Sequence, residues 1–242
     1  FREYLNLRCG WSLKPATMEE ILKGEVDFPY GAERPLKYFD EYMKSGCYPF
    51  CKEPEFETRL RQIINTTVEL DIPKYAKMTI AATKKLKKFM YYISRSVPVT
   101  INYYGMARDL GIDRDDLPKY LEYLEKAELV SALGMKANGD AILRKMDKLY
   151  LHNPNIAYVL SGGKADVGNA RETIFFCWTK ERFNTLESPI SDFEIDGKTF
   201  ELGGRKKGKK QITDAKEGYV VKDNIEYVFD NQIPLWMCGF LY

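Results

Sequence analysis

The chain has 242 residues, with 37 Lys+Arg against 35 Asp+Glu and a formal net charge of +2. That length allows a sizeable core or two to three small domains, and 30% charged with 14% aromatic residues excludes a disordered chain. The near-neutral balance does not by itself imply nucleic acid, and no apolar run of membrane-spanning length or signal-peptide pattern occurs, so no membrane partner is expected.

The cysteines Cys9, Cys47, Cys51, Cys177 and Cys238 form an odd, scattered set, which favours a reducing, cytoplasmic setting. Cys47 and Cys51 are the closest pair, and the single histidine, His152, is far from them in sequence, so a Cys/His zinc site is not expected. The first residue is Phe and no GxxxxGK[ST] phosphate loop occurs. The expectation is a fragment, or a chain lacking an ordered N-terminal part.

Phe1 to about Lys77 reads as irregular, then helical. Lys37–Lys44 is a short amphipathic helix, broken at Gly46 and Pro49. Leu60, Ile63, Ile64 and Val68 have helical spacing over Phe56–Leu70, with Pro73 as the stop. Thr83 is the expected cap of a helix with Leu86, Phe89, Met90 and Ile93 inside and Lys84, Lys85, Lys87 and Lys88 outside. Val97–Ile101 is extended. Asn102 starts a second helix that Gly111 stops. A third begins near Asp115–Asp116, tolerates Pro118 in its first turn, and turns Leu117, Tyr120, Leu121 and Leu124 inward.

The outer face of this third helix is mixed: Lys119, Glu122, Glu125, Lys126 and Glu128. Leu129–Met135 and Lys148–His152 read as strands joined by a turn at Asn138-Gly139. Three helices followed by strand–turn–strand is the winged form of the helix-turn-helix. DNA phosphates favour Lys and Arg, which lie at Lys84–Lys88 and in the wing at Arg144, Lys145 and Lys148. Such residues also suit a plain solvated surface.

In the last third, Pro154–Leu160 and Gly168–Lys180 read as helices, the second with Asn169 as its expected cap. Glu172 shares a helix face with Phe175, Phe176 and Thr179. A carboxylate there needs a partner, such as Arg171, a nearby Lys or backbone. Asp196-Gly197 marks a two-residue hairpin turn. It pairs Ile195 with Lys198, Glu194 with Thr199, Phe193 with Phe200 and Asp192 with Glu201. Alternation then places Asp192, Glu194, Thr199 and Glu201 on one face and Phe193, Ile195, Phe200 and Leu202 on the other. Carboxylates facing each other at ~5 Å need a divalent metal, a basic group or solvent between them. Gly218–Lys222, Ile225–Phe229 and Ile233–Tyr242 read as β-rich, with a turn at Asp223-Asn224.

These residues resemble a family. Phe1–Leu5, Gly46-Cys-Tyr-Pro49, Ala107–Val130, Lys148–Tyr150, Gly168-Asn169, Glu172, Asp192-Phe193 and Glu201 look like the C-terminal portion of a group of bacterial and archaeal AAA-type P-loop ATPases. In that group the ATPase core precedes a winged helix and a domain of unknown function similar to the PD-(D/E)XK nuclease fold. The resemblance implies an α+β chain in three parts. Residues 1–78 would be a helical segment following the ATPase core, 79–152 a winged helix-turn-helix, and 153–242 a restriction-endonuclease-like α/β domain.

It implies Mg²⁺ ligation by Glu172, Asp192 and Glu201 if the site is active. ATP would belong only to the ATPase domain of the same parent protein, since the Walker motifs are absent here. The family's nuclease Lys falls at Gly203. Either Lys206 or Lys207 reaches back across Gly203-Gly204, or the acidic trio is a relic. DNA contacts would come from Lys84, Lys85, Lys87, Lys88, Arg205, Lys206, Lys207, Lys209 and Lys210. The leading expectation is a non-cleaving, DNA- or partner-binding accessory half. An active nuclease and a homo-oligomerising interaction module are the alternatives.

Overall fold

The computed structural model describes residues 1–29, 34–135, 146–204, 212–213 and 215–241. The fold is mixed α+β. In order come α1 (Arg2–Cys9), α2 (Met18–Lys23), α3 (Pro35–Glu41), α4 (Phe56–Thr66), α5 (Ile72–Tyr75), α6 (Ile80–Ser96), β1 (Val99–Thr100), α7 (Tyr103–Leu110) and α8 (Leu117–Lys126). Then follow β2 (Val130–Met135), β3 (Met146–Leu151), α9 (Pro154–Leu160), α10 (Val167–Thr179), β4 (Thr185–Glu187), β5 (Phe193–Ile195), β6 (Lys198–Gly203), β7 (Gly218–Lys222), β8 (Gln232–Pro234) and α11 (Leu235–Cys238).

The described strands form one eight-stranded sheet in the order β1-β3-β2-β4-β5-β6-β7-β8. β1, β3 and β2 are antiparallel neighbours, and so are β4, β5 and β6. β2 joins β4, β6 joins β7 and β7 joins β8 in parallel. Two apolar clusters flank this sheet. One gathers Phe1, Leu5 and Phe39 from the start of the chain with Phe175, Phe193, Phe200 and Phe240 from its end. The other packs Leu60 and Ile64 of α4 against Leu86, Phe89, Ile93, Leu121 and Leu124.

Several elements differ from the sequence reading. The first third holds α1 and α2, not irregular chain. Thr17 and Glu20 close a capping box at α2, each side chain bonding the other's backbone N–H. Pro73 does not end the helical run from Phe56. A π-wound stretch, Thr67–Asp71, precedes it, and this wider turn carries the helical chain on through Pro73 into α5. α6 is capped by Thr79, whose side chain accepts from Ala82 N, whereas Thr83 lies inside the helix. Asp166, not Asn169, caps α10. Ile225–Phe229 is no strand, since only Phe229 bridges Gln232, and most of Ile233–Tyr242 is α11 and the turn after it. Asn102, Gly111 and Asp116 bound α7 and start α8 as expected. The Asn138-Gly139 turn, Arg144 and Lys145 lie outside the described residues.

Candidate carboxylate site

The β5–β6 hairpin has the expected register, with Phe193, Glu194 and Ile195 opposite Phe200, Thr199 and Lys198. Asp196 and Gly197 turn it at φ 50° and 80°, the left-handed region that a tight two-residue hairpin loop requires. Its apolar face, Phe193, Ile195 and Phe200, enters the core against Phe175 and Phe176 of α10. Glu201 is buried, at 1% exposure.

Each carboxylate of the trio receives a hydrogen bond from the protein. The Tyr150 hydroxyl donates to Glu172 Oε2 at 3.0 Å, a partner from another element. Arg171 instead pairs with Asp223. The Leu202 N–H donates to Asp192 Oδ2 at 2.7 Å. The Ser191 hydroxyl donates to Glu201 Oε2 and lies 3.1 Å from the Phe200 carbonyl. The three groups still feel one another. Burial first, then the charges of Glu172 and Glu201, raise the Asp192 carboxyl to about 6, against the pull of the Leu202 N–H and Lys148. Burial, then Glu172, also pushes the Tyr150 hydroxyl well up, which keeps it a proton donor.

Among the described residues no group of three His, Cys, Asp or Glu is placed to hold a metal ion. Sheet geometry gives a reason. Tyr150 packs between Phe176 and Phe193 on the apolar face and bonds Glu172 from that side. Glu201 alternates with Phe200 and belongs to the other face.

One residue that reading along the chain missed belongs with Glu201. In the parallel pair β6–β7, Glu201 stands opposite Val220 and Gly203 opposite Lys222. Residues in register share a face, so Lys222 lies on the face of Glu201 and Gly203. It is 6% exposed, unusual for a lysine. The signal in the sequence is a lysine closing the apolar run Tyr219-Val-Val221, but the register that gives it meaning is set between strands.

The basic residues divide. Lys84 is exposed and Lys85 half-buried. Lys87 pairs with Glu69, and Lys88 Nζ donates to the Leu110 carbonyl at the end of α7. Lys148 pairs with Glu187 at 3.3 Å. On α8, Lys119 and Lys126 pair with Asp116 and Glu122, and Glu125, expected outside, is half-buried and accepts from Ala132 N at 2.9 Å. Arg205, Lys206, Lys207, Lys209 and Lys210 lie outside the described residues.

The five cysteines are free, and burial pushes the Cys47 thiol up to about 12. Among the described residues no helix is long and apolar enough to cross a membrane. A family model described as a domain of unknown function (DUF8612) matches residues 36–166, ending before Glu172. No curated protein and no solved structure matches the chain.

Proposed function

The chain belongs to that family, the domain of unknown function DUF8612, and we propose that it is the accessory half of an AAA-type ATPase, binding DNA or a partner through a winged helix and a nuclease-like domain that does not cut. The order α6, β1, α7, α8, β2, β3, with β3 between β1 and β2, supports the winged-helix part. The sequence α10, antiparallel β4-β5-β6, then parallel β7 supports the restriction-endonuclease-like part. The observation that carries the non-cleaving reading is that Glu172, Asp192 and Glu201 each accept a hydrogen bond from Tyr150, Leu202 or Ser191, while Gly203 stands where the nuclease lysine belongs. Each of these bonds engages only one oxygen of its carboxylate, so the non-cleaving reading rests chiefly on Gly203.

The second reading, a Mg²⁺-dependent nuclease, is favoured by Lys222. Its place beside Gly203, on the face of Glu201, supplies from the adjacent strand the cation that the motif lacks. Incubation of supercoiled and single-stranded DNA with the chain and Mn²⁺, beside Glu201→Ala and Lys222→Met, separates the two. The non-cleaving reading expects shifted migration of DNA, no nicking, and no metal-dependent rise in melting temperature. Nicking by the unaltered chain that both substitutions abolish would overturn it in favour of the nuclease.

A further inference from the structure

α10 turns one face, with Glu172, Phe175 and Phe176, to the carboxylate cluster and the apolar core. The adjoining face, with Asn169, Ala170 and Thr173, borders a cavity of about 450 Å³. Its other walls are the end of α6, with Tyr91 and Arg95, and the Ser161–Lys164 loop after α9. The Asn169 side chain donates to the Val97 carbonyl at 2.9 Å and ties α10 to the residue that follows α6. The cavity thus sits where the helical part meets the last third of the chain. Such junctions are common places for ligand sites.

Three observations point to a ligand. First, Thr173 is 3% exposed, lines the cavity, and makes no hydrogen bond among the described residues. A buried helical threonine ordinarily bonds the carbonyl one turn back, as Thr179 does with Phe175 at 2.9 Å. The Thr173 hydroxyl is reached from the cavity, where solvent satisfies it until a ligand takes that place.

Second, the rim is cationic. Arg95 and Lys164 form no ion pair with a carboxylate among the described residues. The carboxylate on the cavity wall, Asp166, accepts from Asn169 N at 2.9 Å as the cap of α10. Third, a flat surface stands beside the cations. The Tyr91 ring is 58% exposed and carries the Arg95 guanidinium 5.6 Å from its centroid. Val97 and Leu160 supply apolar wall.

Anion-binding donors, an exposed ring for stacking and a buried hydroxyl together fit one kind of chemistry. We propose that this cavity binds a nucleotide unit. The phosphate sits between Arg95 and Lys164, away from the Asp166 carboxylate, the base stacks on Tyr91, and the Thr173 hydroxyl completes a hydrogen bond with the sugar or base. The unit comes either from a free mononucleotide or from a single strand of DNA. The site shares no residue with the carboxylate trio or with Lys84–Lys88, so it stands or falls apart from the function proposed above.

The test is titration of the full chain with deoxyadenosine monophosphate by calorimetry and with a labelled oligothymidylate by fluorescence anisotropy. Inorganic phosphate serves as control and duplex DNA is run on the same samples. The expected result is one site for the nucleotide or the strand, weakened by added salt. Arg95→Glu and Lys164→Glu should each weaken it at least about tenfold. Thr173→Val should weaken it several-fold while leaving the melting temperature unchanged or raised, since the hydroxyl it removes has no partner.

Saturation by the mononucleotide with this sensitivity assigns the free nucleotide. Saturation by the oligomer alone assigns the strand. Binding of neither, equal binding of inorganic phosphate, or indifference to all three substitutions overturns the proposal. Because Lys164 is exposed, Lys164→Glu keeps the test valid if Arg95→Glu disturbs α6. Loss of duplex binding in Lys84→Glu/Lys85→Glu with nucleotide binding intact would separate the two surfaces.

Discussion

Replacing Asp192 by asparagine tests the electrostatics of the carboxylate cluster directly. In the folded chain this carboxyl titrates near 6 against an ordinary 3.8, because it is buried and faces Glu172 and Glu201. Below 3.8 it is protonated in both states. Between 3.8 and about 6 the unfolded chain releases a proton that the folded chain keeps, so stability falls as pH rises through this window. Above it the deficit is constant. The interval is worth about 3 kcal/mol at ~1.36 kcal/mol per pH unit, and partial exposure trims this to about 1–3 kcal/mol. An asparagine at this position lacks the charge, yet its amide oxygen still accepts from the Leu202 N–H. Asp192→Asn is therefore expected to be more stable than the parent at pH 7.5 by about 1–3 kcal/mol, with the difference shrinking toward pH 4. Urea unfolding of both chains at pH 4.5, 6 and 7.5 measures this, and subtraction cancels the other titrating groups. A variant that is less stable at pH 7.5, or a difference that does not change with pH, would refute the reasoning.

Two further substitutions have defined outcomes. Asn155 is fully buried. It accepts from Cys47 N at 2.7 Å and donates to the Tyr42 and Met43 carbonyls at 3.1 and 2.8 Å. Asn155→Ala strands these backbone groups and should cost about 2–4 kcal/mol in urea unfolding at neutral pH; a loss under about 1 kcal/mol would mean that water replaces the amide. Burial, then Lys180, lowers His152 from 6.5 to about 4, so its stabilising contribution is present above 6.5 and is lost as pH falls toward 4. His152→Gln should flatten the acid side of the stability profile by about 1–3 kcal/mol over that window, and an unchanged slope would show that His152 protonates freely in the folded chain.

Local chemistry was legible where one short stretch decides the structure. Asp196-Gly197 sets the hairpin register, Pro154 starts α9, and Gly111 ends α7 in the left-handed conformation. What depended on distant chain was not. Pro73 reads as a stop until the π-wound turn before it is seen. The strand reading of Ile225–Phe229 follows β-propensity, but Tyr227 and Phe229 are 77% and 74% exposed. A side chain that meets no sheet neighbour gains little from its propensity. The start of α2 is written locally as well, since Thr17 and Glu20 have capping-box spacing.

The carboxylate site shows the same division. Asp192 and Glu201 come together through one hairpin, so spacing alone places them. Glu172 arrives from α10, and its hydroxyl partner Tyr150 arrives from β3, across β2, β4 and the hairpin. Lys222 stands beside Gly203 only because β7 runs parallel to β6 in one particular register. A motif written along the chain finds a gap two residues after Glu201, whereas the sheet fills the neighbouring position from a strand nineteen residues on. That lysine is therefore found in the space across β6 and β7 and not in the spacing along the chain. The DNA experiment with Glu201→Ala and Lys222→Met addresses both residues at once.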